Sequence, residues 1–207
     1  MSNILFFDTE TTGLIPQENI ELEKIDIYPR LVQLSAILYT ESGELLDSIN
    51  YIIKPNGFVI TNSHIHGITN ELAELNGESL NNVIKSFEQI CSKANLIVCH
   101  NYVFDSLIIR SEMIRINYSD FIKDKPSFCT MTECSFFSSS ISLKDLHYSI
   151  FQTVFENQHN SFIDAQTTAK CFFELINDKK LLKNGNHYKL IQNKIKDIDF
   201  ELDKENI

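Results

Sequence analysis

The stretch that most constrains this 207-residue chain is ILFFDTETTG at residues 4–13, where four large apolar residues lead directly into two carboxylates. A short, unbroken apolar run is typical of a strand that is buried on both faces. We expect this strand to end at Asp8, with Glu10 just beyond it. Because residues two apart in a strand point to the same side, the sequence predicts two carboxylates that point to one place beside a dry core.

Two acids held this close raise each other's pKa unless a cation lies between them. A set of ligands made only of oxygen atoms suits Mg²⁺ or Mn²⁺. Asp8 and Glu10 are therefore candidate metal ligands. The two residues alone leave a plainer alternative open, in which they simply carry the chain from the strand into solvent.

Composition indicates an ordinary globular protein, with 43% hydrophobic and 22% charged residues. No apolar run is long enough to span a membrane and the N-terminus lacks a signal-like segment, so we expect a cytoplasmic protein with no membrane partner. The five cysteines include no Cys-x-x-Cys pair, which indicates free thiols rather than a zinc site. The net charge of −10 argues mildly against a protein that coats nucleic acid, but not against an enzyme that holds one strand end.

The order of predicted elements indicates an α/β fold with a central mixed β-sheet flanked by α-helices. Residues 31–39 predict a half-buried strand and residues 45–53 a third strand, paired with it as a hairpin, while residues 96–99 predict a buried strand. Helices are predicted from Ser79 to about 94, after Asn101, from Ser142 to about 151 and from about 161 to 176, with a polar connection over 117–127. We expect one domain over 1–177 and a helix or frayed tail over 178–207.

Three further polar residues lie near the predicted carboxyl ends of strands or at the starts of helices. Asp105 falls in the first turn of the helix that follows residues 96–99, Asp164 falls early in the last helix, and His159 precedes Asp164 by five residues. Acids are common at helix N-termini for electrostatic reasons alone, and a loop histidine is usually just exposed. Together, however, they predict a cluster of four acids and one histidine at a single sheet edge.

These motifs, taken in order, closely resemble the DEDDh 3′–5′ exonucleases, which have a ribonuclease H-like fold. That family includes the proofreading epsilon subunit of bacterial DNA polymerase III, ribonuclease T and oligoribonuclease, and the epsilon-like branch is the most similar. The matching segments are FDTETTGL at 7–14, HN at 100–101 with FD at 104–105, His159 with DA at 164–165, and IHGIT at 65–69. The chain departs from the family at Ser161 and Phe162, where Ala and Leu are usual, and in a longer loop over 15–30.

The resemblance implies a catalytic role for each of the five residues. Asp8, Glu10 and Asp164 would hold a first divalent ion, Mg²⁺ or Mn²⁺, whose bound water becomes the nucleophile. Asp8 would bridge to a second ion, with the help of Asp105. His159 would take the proton from the water, a task for which the ordinary histidine pKa near 6.5 is suited.

The resemblance also suggests contacts with the substrate. Thr11 and Leu14 would meet the terminal nucleotide, with Leu14 as a wedge beside the last base. Phe104, His66 and Asn101 are further substrate-binding candidates. The residues themselves leave structural roles open: Phe104 in the core, His66 as a cap on its turn, and Asn101 as a cap on the helix that follows it.

The function implied by the resemblance is a metal-dependent 3′–5′ exonuclease that releases nucleoside 5′-monophosphates from single-stranded or frayed DNA. One alternative is a 3′–5′ exoribonuclease that acts on short RNA or RNA tails. A second is a non-catalytic nucleic-acid-binding or polymerase-associated subunit, although all five catalytic-type residues are present. The expected partners are a nucleic acid 3′ end, DNA before RNA, and a DNA polymerase subunit.

Overall fold

The computed structural model describes residues 2–16, 21–134, 141–156 and 159–177. Its five strands are β1 Asn3–Thr11, β2 Leu31–Thr40, β3 Leu45–Ile52, β4 Leu96–Cys99 and β5 Ser127–Cys129. They form one sheet in the order β3-β2-β1-β4-β5. β1 is central, because it pairs antiparallel with β2 and parallel with β4. The predicted mixed sheet and the antiparallel β2–β3 pair are both confirmed.

Seven α-helices accompany this sheet in the described chain, together with a 3₁₀ turn at Ile25–Ile27. Their bounds are α1 Ser63–His66, α2 Asn70–Asn76, α3 Leu80–Cys91, α4 Tyr102–Arg115, α5 Thr130–Glu133, α6 Leu143–Phe151 and α7 Ser161–Asn177. None of the described helices is long and apolar enough to cross a membrane. The predicted tail at 178–207 lies outside the described residues.

Helices cover both faces of the sheet, and β1 shows how the two faces are divided. Leu5 and Phe7 belong to the core shared with α3 and α4, whereas Ile4 and Phe6 pack with Phe172 of α7. The rings of Phe6 and Phe172 are 5.4 Å apart between centroids. Because side chains alternate along a strand, the side chains of Asp8 and Glu10 follow those of Ile4 and Phe6 toward the α7 side of the sheet.

Several local predictions are confirmed at the level of single hydrogen bonds. The side chain of Ser79 caps α3 by accepting from the amide of Asn82, and Ser142 caps α6 by accepting from the amide of Asp145. Gly67 ends α1 with a φ of 75°, and Thr69 then caps α2 by accepting from the amide of Leu72. The serines at 79 and 142 were thus sufficient signals for where α3 and α6 begin.

Other predictions about the strands were wrong. β1 does not end at Asp8 but continues to Thr11, because its pairing with β2 extends through Glu10 and Thr11. β2 is buried almost throughout rather than half-buried, since it lies between two strands with helices on both faces. β5, which begins at the last residue of the predicted polar connection, and α5 directly after it were not predicted, because elements of three and four residues leave no periodic signal.

The inward face of α4 combines apolar and acidic side chains. Ile108 and Met113 are buried, whereas Ile114 is 40% exposed. Two acids, Asp105 and Glu112, also take buried positions, with 3% and 1% of their surface exposed. Apolar spacing alone gives no indication of these two acids, because their hydrogen-bond partners are distant in sequence.

Candidate active site

Three of the predicted acids meet at the end of β1. One carboxylate oxygen from each of Asp8, Glu10 and Asp164 lies within 4.8 Å of the other two. β1 supplies the first two acids from one face, and the first turn of α7 supplies Asp164. The arrangement follows from the packing of α7 against β1, which carries the beginning of α7 over the strand end.

The beginning of α7 is fixed by two polar contacts. The side-chain oxygen of Asn160 accepts a hydrogen bond from the amide of Phe162 at 3.1 Å, as a helix cap does. The hydroxyl of Ser161 lies 2.7 Å from the hydroxyl of Ser35 on β2, and both residues are buried. Ser161, which stands where the family usually has Ala, therefore ties the first turn of α7 to the sheet.

Asp105 lies beside this group and reaches it from α4. Its Oδ1 accepts a hydrogen bond from the hydroxyl of Thr9 at 2.7 Å and another from the amide of Thr9 at 3.2 Å. Sequence reasoning missed Thr9. The signal was present, because a residue between Asp8 and Glu10 in a strand must point to the opposite face, where α4 lies.

Burial raises the pKa of all four acids, and the charges of neighbouring acids raise the pKa values of Asp8, Glu10 and Asp105 further. Burial and the charges of Asp105, Asp164 and Glu10 raise the pKa of Asp8 well above its ordinary value. Burial, with the charges of Asp164 and Asp105, raises the pKa of Glu10 to about 8. Burial raises the pKa of Asp105 to about 7, against the lowering effect of the bonds from Thr9. Within the described residues, no ion pair links any of these carboxylates to a lysine or arginine.

Asp164 shows most directly that the group suits a cation. Its Oδ2 accepts a hydrogen bond from the backbone amide of His159 at 3.0 Å. Its Oδ1 is buried and has no hydrogen-bond partner among the described residues. Burial raises the pKa of Asp164 to about 6, even though the amide and the charge of His159 lower it. A buried carboxylate oxygen without a hydrogen-bond donor calls for another partner. Together with the oxygens of the two neighbouring acids, it forms the kind of oxygen ligand set that Mg²⁺ or Mn²⁺ prefers.

His159 stands outside the carboxylate group, at its rim. Its φ of 63° is in the left-handed region, which brings its backbone amide to Asp164. The residue is exposed, and neither ring nitrogen has a hydrogen-bond partner in the described part of the chain. Its imidazole is thus available to exchange a proton with a group bound at the carboxylates.

The candidate substrate-binding residues differ in how exposed their side chains are and in the contacts that these side chains make. Thr11 is buried and its hydroxyl donates to the carbonyl oxygen of Gly13 at 2.6 Å, which closes the turn after β1. Leu14, at the end of that turn, is 82% exposed. Phe104 is half-buried and packs against the core shared by α3 and α4.

His66 and Asn101 have more constrained positions. His66 is buried, and both of its ring nitrogens lie within hydrogen-bond distance of other residues of the chain. Asn101 is the N-cap residue of α4, with a φ of 84°, but its side chain makes no capping bond to the helix. Whether either residue contacts substrate stays a prediction.

Comparison with known proteins identifies the family. The family model described as Exonuclease (RNase_T) matches residues 5–172, which is most of the chain. The chain belongs to the exonuclease family. This match confirms the resemblance to DEDDh-type 3′–5′ exonucleases. Among curated protein sequences, none matches this exonuclease-family chain.

Solved structures with a similar fold include two bacterial enzymes. One is E. coli exonuclease I in complex with a dT13 oligonucleotide, which has a TM-score of 0.69 and 18% sequence identity to this chain. The match covers 86% of this chain and 41% of the exonuclease I chain. The other is exonuclease I from Methylocaldum szegediense, with a TM-score of 0.71 and 14% sequence identity. That match covers 93% of this chain and 43% of the exonuclease I chain. The chain therefore spans about two fifths of the length of these exonuclease I structures.

The nuclease domain of 3′hExo, a DEDDh family member bound to rAMP, is similar over nearly its whole length. The TM-score is 0.67 and the identity 13%, over 88% of this chain and 95% of that one. At such low identities the likeness concerns the fold. It confirms the expected ribonuclease H-like arrangement of a mixed sheet flanked by helices.

Proposed function

We propose that this exonuclease-family chain is a metal-dependent 3′–5′ exonuclease that acts on single-stranded or frayed DNA and releases nucleoside 5′-monophosphates. The observation that supports it most is the carboxylate group at the end of β1. Asp8, Glu10 and Asp164 converge there, Asp105 is adjacent, and Oδ1 of Asp164 is buried without a hydrogen-bond donor.

The charges at the site explain why divalent ions belong to this proposal. A phosphodiester is an anion, and four acids without a nearby cation repel it. Two divalent ions, Mg²⁺ or Mn²⁺, when bound between the carboxylates, would supply an activated water and neutralise charge that develops on the phosphate. Asp8, Glu10 and Asp164 would hold one ion, and Asp8 with Asp105 the other.

The remaining roles fall to residues at the rim. His159 has an exposed imidazole without a partner, next to Asp164, and accepts the proton that the attacking water releases. Leu14 presents an exposed apolar side chain at the turn after β1 and lies against the terminal base, a contact that tolerates any base. Thr11 shapes the same turn.

The choice between DNA and RNA rests on comparison. The exonuclease I structure contains the deoxyoligonucleotide dT13, which supports DNA, whereas 3′hExo contains rAMP, which supports the exoribonuclease alternative. A DNA polymerase subunit as partner, in proofreading, rests only on the resemblance to the epsilon subunit. Co-elution of the purified chain with a polymerase core would test that part.

The deciding experiment uses matched single-stranded DNA and RNA of one sequence, labelled at the 5′ or the 3′ end, with magnesium. We expect 5′-labelled DNA to shorten stepwise and 3′-labelled DNA to release a mononucleotide at once. Closed circular single-stranded DNA should resist, because it has no 3′ end. Cleavage of circles would indicate an endonuclease, and degradation of RNA alone would favour the exoribonuclease. The Asp8→Asn variant, purified in parallel, controls for contaminating nucleases.

A further inference from the structure

The ladder between β1 and β2 contains an irregularity directly after Glu10. Glu10 pairs with Gln33, but Thr11 pairs with Leu31, so Val32 of β2 is left without a partner on β1. A β-bulge of this kind bends the strand that carries the extra residue and interrupts the regular hydrogen-bond ladder. Thr11, which is paired with β2 again just beyond the bulge, also has a contact from outside the sheet.

A side chain 51 residues further along supplies the contact. The amide nitrogen Nδ2 of Asn62 donates to the carbonyl oxygen of Thr11 at 2.8 Å. Asn62 occupies the N-cap position of α1, where asparagine commonly accepts from a helix amide, yet its side chain makes no capping bond. Its side chain is instead directed to the end of β1.

His66 determines which way the amide of Asn62 points. The backbone amide of Ile68 donates to Nδ1 of His66 at 3.1 Å, so Nδ1 carries no proton. In the neutral ring the proton is then on Nε2, which lies 3.4 Å from Oδ1 of Asn62 and donates to it. The oxygen of Asn62 faces His66, and its Nδ2 is left for Thr11. Burial, with the nearby His159 and His64, lowers the pKa of His66, which favours this neutral ring.

We propose that Asn62, oriented by His66, is a positioning residue that holds the carbonyl group of Thr11, next to the bulge, so that Leu14 is presented to the 3′-terminal nucleotide. The turn between them is short and internally closed by the bond from Thr11 to Gly13. A fixed carbonyl at Thr11 therefore fixes the base of the turn that carries Leu14. This inference rests on the proposed exonuclease function, but it concerns substrate binding rather than the carboxylates.

The sharpest variant is Asn62→Asp. Aspartate has the same shape and still accepts from Nε2 of His66, but an ionised carboxylate cannot donate to Thr11. We expect KM for single-stranded DNA to rise about tenfold, as for loss of one hydrogen bond that serves substrate binding, with kcat changed by less than about threefold. The magnesium-induced rise in Tm should remain, because Asp8, Glu10 and Asp164 are untouched.

A binding measurement tests the same point without turnover. A strand with 2-aminopurine at its 3′ end and a phosphorothioate as its last linkage should become more fluorescent when Leu14 separates the last base from its neighbour. We expect the increase to fall in Asn62→Asp and in Leu14→Ala. Asn81→Asp is the matched control, since it makes the same chemical change at an exposed residue of α3 that has no side-chain hydrogen bond in the described chain. It should behave as the wild type in both assays.

His66→Ala tests the orienting step. It should raise KM less than Asn62→Asp, and it should add nothing in the Asn62→Asp background, because the two residues act through one contact. If Asn62→Asp fails to fold, Asn62→Ser, which shortens the side chain without adding charge, carries the same expectation.

Three results would overturn the inference, and if the wild type still degrades DNA or RNA, the proposed function would not be affected. The first is an Asn62 variant whose KM and fluorescence increase are those of the wild type. The second is a fall in kcat with KM unchanged, and the third is full additivity of the Asn62 and His66→Ala effects. Failure of the wild type to degrade either DNA or RNA would instead reject the proposed function itself.

Discussion

Two buried acids seven positions apart on α4 have opposite surroundings. Glu112 accepts from Nε of Arg30 at 2.8 Å, from Nη2 of Arg30 at 3.3 Å and from the amide of Leu31 at 3.0 Å. Arg115 also lies 3.2 Å from its carboxylate. The carboxylate of Asp105 instead accepts from the hydroxyl and the amide of Thr9, and no lysine or arginine of the described chain forms an ion pair with it.

The difference separates an acid with a structural role from one to which we assign a function. The negative charge of Glu112 is neutralised within the chain, so the ion pair ties α4 to the beginning of β2. No lysine or arginine of the described residues neutralises Asp105 or its three acidic neighbours, and our proposal gives that role to divalent ions. A buried acid is therefore informative about function only when its partners are known. Each prediction below tests one side of this comparison.

The largest effect is expected for Asp8→Asn, which removes the charge shared by the two proposed ions. Loss of several kcal/mol of transition-state stabilisation corresponds to a fall in kcat on the order of 10³-fold. The variant should keep a wild-type circular dichroism spectrum, and its Tm without metal should not fall, because one of four repelling charges is gone. A folded variant with more than about a tenth of wild-type activity would contradict the two-metal assignment.

The second effect concerns His159, which stands outside the carboxylate group. Loss of a general base typically costs 10²–10⁴-fold in rate, so we expect a fall of about this size in kcat for His159→Ala. Protonation of the imidazole at acid pH removes the base in the wild type, so the acid limb of the pH–rate profile should flatten in the variant. The metal-induced rise in Tm should persist. Near-normal turnover with an unchanged pH profile would show that another group is the base.

The sequence was sufficient to predict which acids converge, but not what surrounds them. Alternation along β1 placed Asp8 and Glu10 on one face, and the position of Asp164 early in a helix placed it within reach. These inferences depend on local spacing, which the sequence records directly. The end of β1 at Thr11 could not be predicted, because it depends on pairing with β2.

The hydrogen-bond and ion-pair partners of the polar residues could not be predicted from the local sequence. Thr9 reaches Asp105 across 96 positions, and Arg30 reaches Glu112 across 82. Asn62 is the N-cap residue of α1, yet its side chain bonds to the end of β1, and the sequence gives no sign of this contact. Such contacts are set by the packing of whole elements, and the pattern of apolar residues gives no information about which polar side chains face each other.

The third effect is on stability and concerns Glu112. Replacement by Gln leaves Arg30 and Arg115 close together in a mostly buried site without the carboxylate that pairs with both of them. Removal of one partner from a buried ion pair typically costs about 3–5 kcal/mol of the free energy of unfolding. Asp47→Asn is the matched control, because the exposed pair of Asp47 with Lys93 should contribute less than about 1 kcal/mol. Urea denaturation measures both, and equal losses would remove the structural role given to Glu112.

The smallest effect is a pH dependence that depends on metal. The folded state raises the pKa of Glu10 from 4.5 to about 8, and that of Asp164 from 3.8 to about 6. For each acid, at a pH between its two pKa values, the folded chain still holds a proton that the unfolded chain has released. The stabilisation from these acids is therefore complete below about pH 4 and is lost as the pH rises toward 8.

Thermal denaturation in the presence of a chelator should accordingly give a lower Tm at pH 8 than at pH 5. Magnesium should restore most of the loss at pH 8, since a ligand that binds only the folded state adds about 2.7 kcal/mol at 100 times its Kd. At pH 5 the acids are partly protonated, so the same concentration should raise Tm less. Asp164→Ala should abolish most of the metal-induced rise, because it removes a ligand with an unpaired oxygen. An equal rise in that variant would place the ions elsewhere, and a Tm independent of pH and metal would show that the four acids are not the uncompensated group that contrasts with Glu112.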